Sequence, residues 1–200
     1  MTTKRNPRSF QLSQIPSFVQ EEPWAVALLS RDDLVIHEVK SRRMEGKNDR
    51  DLFWCQLLTQ PQTLEATIVL RPRKLGPSFP RVQETLTIFA LGKLLSGHPK
   101  IAHGGVVATL LDEALGVLIN VNVDIEQEID KSWVFSNIMT GYLNTAYRKP
   151  VPAPGVILIR TWLVKREGRK TVLKGTIEDG KRTVLAESEA LFIDLKEVKL

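Results

Sequence analysis

His103, Gly104 and Gly105 open an apolar run, Val106 to Asn120, and Asp112 stands inside that run. A His-Gly-Gly turn at the start of a helix leaves backbone N–H groups free at the positive end of the helix dipole. That is a cradle for negative charge developing on a carbonyl oxygen. A lone carboxylate within an otherwise apolar helix is costly to bury without a task. Together the two features point to hydrolysis of an activated carbonyl. At 100° per residue Gly105, Ala108, Thr109, Asp112 and Gly116 share one stripe of small residues, and Thr109 is placed to support Asp112. Leu110, Leu111, Ala114, Leu115, Val117 and Leu118 cover most of the remainder. Glu113, the rival carboxylate, is turned away from the stripe by about 100°. Nine residues of helix also separate His103 from Asp112 by about 13 Å, too far to meet at one reacting centre. Two antiparallel copies of the helix would place each N-terminus opposite the other copy's Asp112, so the spacing predicts a homodimer with shared sites.

The elements that must position these groups follow from periodicity. A helix is predicted over about Gly104 to Val123, then a polar loop over Asp124 to Lys131. Four strands follow: Val134 to Tyr147, Gly155 to Lys165, Lys170 to Ile177 and Thr183 to Leu195. Turn-like links join the later ones at Arg166–Arg169 and at Glu178–Lys181. Ahead of the helix, Leu34 to Lys40 and Leu64 to Leu70 read as strands. Glu84 to Leu91 reads as a half-buried strand, alternating Leu86, Ile88 and Ala90 against Thr85, Thr87 and Phe89. Glu21 to Leu34 reads as a short amphipathic helix starting after Pro23, and Arg42 to Asp51 as an exposed loop. Leu52 to Leu58 is an apolar run of open type. Arg71 to Pro80 and Gly92 to Ile101 are loops rich in Pro and Gly. One long apolar helix and an antiparallel meander make an α+β class. The organisation expected is an N-terminal arm over 1–33, partly disordered, and one domain over 34–200.

Composition narrows the partners. The 200 residues carry a formal charge of +5, with 42% hydrophobic and 26% charged residues, the balance of a soluble globular domain. The basic residues are dispersed without interleaved aromatics, which argues against nucleic acid. Trp24, Trp54, Trp133 and Trp162 read as packing residues. The apolar run at 106–123 carries Asp112 and Glu113 and reads as a core helix, so no transmembrane segment is expected. The single cysteine, Cys55, excludes a disulfide framework and a cysteine-rich zinc site; it reads as a small buried hydrophobe. His37 and His98 lack ligand spacing with His103, so no metal is expected. No Gly-x-Ser-x-Gly elbow, Walker loop or dinucleotide fingerprint occurs. The basic first twenty residues lack a secretory core, which leaves cytoplasm or mitochondrion as the expected location.

The run from His103 to Gly116 resembles the signature of hotdog-fold acyl-CoA thioesterases of the phenylacetate-pathway and thioesterase-superfamily-member type. Met139 to Pro150 resembles the strand that follows the helix in that family, and Lys165–Lys170 and Ala186–Phe192 resemble its later strands. The resemblance covers roughly Glu84 to Leu195. It implies an antiparallel sheet wrapped around the central helix, an acyl-CoA substrate, and a homodimer or dimer of dimers. No cofactor is implied, coenzyme A being part of the substrate. It further implies that the Gly104 amide polarises the thioester carbonyl with His103 assisting. Asp112 of the other subunit activates water or attacks directly, and Thr140 orients the water. Strand alternation from Thr140 through Tyr142, Asn144 and Arg148 would extend that face into the substrate groove. Gly105, Asn144, Arg148, Lys149 and Arg169 are the expected substrate contacts, with Arg166 and Lys170 further candidates for a basic rim. Where some members carry an asparagine six residues before the histidine, this chain has Gly97, which throws more of the carbonyl binding onto His103. The segment Asp124 to Trp133 is expected to be a lengthened loop bearing on acyl selectivity. A non-catalytic acyl-CoA-binding or partner-regulating module on the same scaffold is the alternative reading.

Overall fold

The computed structural model describes residues 15–38, 52–134 and 137–195. The expected loop at 42–51 lies outside the described residues. Seven strands form one antiparallel sheet in the order β1-β2-β3-β7-β8-β9-β6. They are β1 (Leu34–His37), β2 (Leu64–Pro72), β3 (Glu84–Leu91), β6 (Ile138–Tyr147), β7 (Gly155–Glu167), β8 (Lys170–Glu178) and β9 (Val184–Asp194). A two-stranded ribbon, β4 (Ser96–His98) with β5 (Ile101–Ala102), leads into the central helix α3 (Gly104–Ile129). Two short helices, α1 (Ser17–Gln20) and α2 (Pro23–Leu29), precede β1. The sheet curls around α3, as the resemblance implies.

The core divides by strand parity. Phe89, Ile157, Ile159 and Ile177 face α3 and pack with Val107, Leu110, Leu111 and Ala114. Leu173, Ala190 and Phe192 meet Leu115, Leu118 and Val121 further along the helix. On the opposite face Ile68, Leu70, Leu86, Ile88 and Leu158 pack against Ile15, Val19 and Ala25 of the N-terminal segment. The residue alternation read in β3 is therefore correct, but the strand is not half-buried. Both of its faces are covered, one by α3 and the other by α1 and α2. Trp24 anchors that cover over the β8–β9 turn at Gly180, where a Cβ would lie 2.3 Å from the indole.

The helix continues past Val123 to Ile129, where a polar loop was expected. Its polar residues are helical because strands and loops supply partners for them. The Asn122 side chain accepts from Val82 N–H at 2.8 Å and donates to Val82 O and Leu118 O, both at 2.9 Å. His37 Nε2 lies 3.0 Å from Asp124 Oδ2, and Arg81 Nε donates to Glu126 Oε1 at 2.6 Å. His37 is thus an anchor for the helix and His98 is exposed; neither belongs to a metal-ligating group among the described residues. By length and composition α3 could cross a membrane, but its apolar side chains are core of this sheet. Before β2, Phe53–Leu57 forms a turn of π-helix with Trp54 buried, Cys55 half-buried and Phe53 and Leu57 exposed.

Candidate active site

His103 caps α3. Its backbone is extended (φ −61°, ψ 139°) and its Nδ1 accepts the Gly105 N–H at 3.0 Å. With Nδ1 accepting, the neutral ring carries its proton on Nε2. The Gly105 amide is thereby engaged, whereas the Gly104 amide, at the first helical position, has no acceptor within the helix. Gly97 packs directly under the histidine: a Cβ there would lie 2.9 Å from His103 Cα and 3.0 Å from its Cδ2. The glycine thus gives the capping residue its seat, with His103 N–H bound to Leu95 O at 2.8 Å.

Eight residues along α3, Asp112 is half-buried on the stripe expected for it. Gly105 is exposed, and Ala108, Thr109 and Gly116 are partly so, because the sheet covers the other side of the helix. Thr140 Oγ1 donates to Asp112 Oδ1 at 2.9 Å. Thr140, not Thr109, therefore orients the carboxylate, and Thr109 turns to an apolar pocket instead. Burial pushes the Asp112 carboxyl above the usual carboxylate range, and the Thr140 hydroxyl pulls it partly back. A carboxyl held up in this way, on an open helix face, is suited to accepting a proton.

The expected alternation along β6 fails at Gly141. Thr140 pairs with Phe192 and Tyr142 with the next residue, Leu191, so Gly141 is an extra residue in the strand. Beyond this bulge the faces exchange. Tyr142 and Asn144 stand opposite to Thr140, and Arg148, just past the strand, forms an ion pair with Glu187. Tyr142 donates to Glu189 Oε1 at 3.1 Å on that outer side. Leu143 and Tyr147 take the helix-facing side with Thr140. The Tyr147 hydroxyl donates to Gly104 O at 2.9 Å, with its ring against Gly104. Sequence reasoning missed Tyr147; the available signal was Gly141, since glycine within a strand marks a bulge.

The expected basic rim is dispersed. Lys149 follows Arg148 at the Gly104 end of β6. Arg169 lies in the β7–β8 turn, where Nη1 donates to Asp194 O at 3.1 Å, near the other end of β6, since Asp194 pairs with Ile138. Arg166 is bound to Asp194 and Thr171 and lies 5.2 Å over the Phe79 ring, and Lys170 opens β8.

Residues 100–186, the segment carrying His103, Asp112, Thr140 and Tyr147, match the family model of the Thioesterase superfamily. Among particular relatives, the acyl-coenzyme A thioesterase THEM4 of Mus musculus is 33% identical over 118 residues, 58% of this chain and 46% of that protein. The uncharacterized mitochondrial membrane protein FMP10 of Saccharomyces cerevisiae is 30% identical over 115 residues, covering 56% and 43%. A crystallised thioesterase superfamily protein is 27% identical over 63% of this chain and 53% of its own, with a TM-score of 0.48. The matched region spans less than half the length of these curated relatives.

Proposed function

We propose that this chain hydrolyses acyl-CoA thioesters, using sites shared between two copies of the domain. The observation that carries the reading is the Thr140–Asp112 hydrogen bond on the open stripe of α3, a helix whose own N-terminus presents the Gly104 amide. The thioester carbonyl oxygen lies at the Gly104 N–H of one copy, with His103 Nε2–H as a second donor. Asp112 of the other copy takes a proton from water while the water oxygen bonds to the carbonyl carbon, and the carbonyl electron pair moves to the cradled oxygen. Collapse of this intermediate breaks the C–S bond, and the leaving thiolate of coenzyme A receives the proton that Asp112 holds.

Distance and the sheet edge support the sharing. Gly104 and Asp112 are about 12 Å apart along one helix, so a single copy cannot place both at one carbonyl. β6 is an edge strand with a mostly exposed face, and pairing it with the same strand of a second copy would set the two helices side by side. Such a pairing would also bring the Arg148–Lys149 end of one copy towards the Arg169 end of the other, gathering cations for the phosphates of coenzyme A. The relatives named acyl-coenzyme A thioesterase support this substrate class, and the yeast relative's description supports a mitochondrial location. Thiol release from acyl-CoA, followed for the unaltered protein and for Asp112→Asn, is the direct test. Equal rates for the two would overturn the mechanism.

A further inference from the structure

An apolar pocket of about 230 Å³, open mouth included, lies against the first two turns of α3. Its walls come from Val106, Thr109 and Leu110 of α3, from Leu64 and Leu95, and from Phe53 and Leu58 of the segment before β2. The Thr109 hydroxyl is the one polar side-chain group among these linings. Leu95 O is also the acceptor for the His103 N–H, and Val106 lies two residues beyond Gly104, so the pocket begins within one helical turn of the proposed carbonyl position.

The apolar surface continues outward. Phe53, Leu57 and Leu94 are 47%, 58% and 64% exposed, an unusual outlay of large hydrophobic groups on adjoining turns. The link between them runs through Thr63: its hydroxyl donates to Leu58 O at 2.7 Å, its carbonyl accepts the Gly92 N–H at 2.6 Å, and the neighbouring Gln62 O accepts the Leu94 N–H at 2.9 Å. A pocket followed by a solvent-facing apolar rim is suited to a flexible aliphatic tail, which fills the first and lies along the second. It is poorly suited to a compact acyl group, which would leave the rim bare.

Resting on the thioesterase reading, we infer that the segment Phe53–Leu58 and the turn at Leu94–Leu95 form the acyl-tail site, selecting long aliphatic chains over short ones. Both lie outside residues 100–186, so the site joins α3 residues inside the family match to segments beyond it.

The test uses non-hydrolysable butyl- and dodecyl-CoA thioethers, titrated calorimetrically into the full chain, with dodecanoyl-CoA turnover measured in parallel. Dodecyl-CoA is expected to bind at least about tenfold more tightly than butyl-CoA. The double variant Leu57→Lys/Leu94→Lys, altered only at exposed positions, should lose most of that ratio while its thermal melt is retained. A Leu58→Trp variant, which fills the pocket, should lose it too. Equal binding of the two thioethers, or a ratio unchanged in the folded double variant, would overturn the inference. Tail-dependent binding without thiol release would defeat the hydrolase reading alone; thiol release without tail dependence would defeat this inference alone.

Discussion

Tyr147 holds Gly104 through a 2.9 Å hydrogen bond from its hydroxyl to the glycine carbonyl, while Thr140, on the same strand, holds Asp112 at the same distance. β6 thus grips α3 at both positions that the proposed reaction uses. Thr140 and Tyr147 are seven residues apart, an odd number that would put them on opposite faces of a regular strand. The Gly141 bulge removes that difference, and both hydroxyls reach the helix.

Replacing Asp112 by Asn keeps an acceptor for Thr140 but removes the base. Turnover should fall by about 10²–10⁴-fold. Because burial raises the Asp112 pKa in the fold, the charged carboxylate opposes folding above the usual carboxylate range. The stability difference should therefore move in favour of the Asn variant as pH rises from acid to neutral. Thermal melts of both proteins across that range, alongside kcat, check the two halves together.

The pH profile offers a second handle on the same pair. Activity should fall as pH drops through the raised Asp112 pKa, placing the acid limb of kcat/KM above the ordinary carboxylate range. Thr140→Val removes the hydrogen bond that lowers this pKa, so the acid limb should shift to higher pH. A limb that stays in place would mean that Asp112 is not the group titrating.

Gly104→Pro isolates the amide. Proline is favoured at the first helical position, and the extended backbone of His103 suits a residue preceding proline. The substitution deletes one N–H while α3 keeps its start, and activity should drop by about 10²–10³-fold. Mixed dimers of Gly104→Pro with Asp112→Asn then distinguish shared from self-contained sites. In a shared arrangement both lesions fall in one site and the other is intact, so mixing the two inactive proteins should restore activity.

Tyr147→Phe keeps the ring against Gly104 and loses the hydroxyl. A single hydrogen bond of this kind corresponds to about a three- to tenfold fall in kcat, with KM little changed. Tyr147→Ala should lower kcat further, and the difference between the two variants reports the contribution of ring packing.

Asn122 is a stability site remote from the chemistry. Asn122→Ala strips partners from both Val82 N–H and Val82 O, at about 1–3 kcal/mol for each buried group left unpaired. Denaturant unfolding should show the loss, while KM for acyl-CoA stays near that of the unaltered protein.

The start of α3, its small-residue stripe and the later turns were legible in the sequence because each depends on neighbours along the chain. A His-Gly-Gly cap, a 3.6-residue apolar period and a Gly-containing hairpin turn are local devices. Helical angle alone sets Asp112 on the small-residue stripe and turns Glu113 away from it. Tertiary structure decided the rest. Residues 124–129 look like a loop until His37 and Arg81 arrive from distant segments as partners. The double burial of β3 depends on α1 and α2 folding back over the outer face. The face on which Thr140 meets Tyr147 depends on one extra residue in the β6–β9 pairing. Strand phase is a property of that pairing register, and no periodicity in a single strand can supply it.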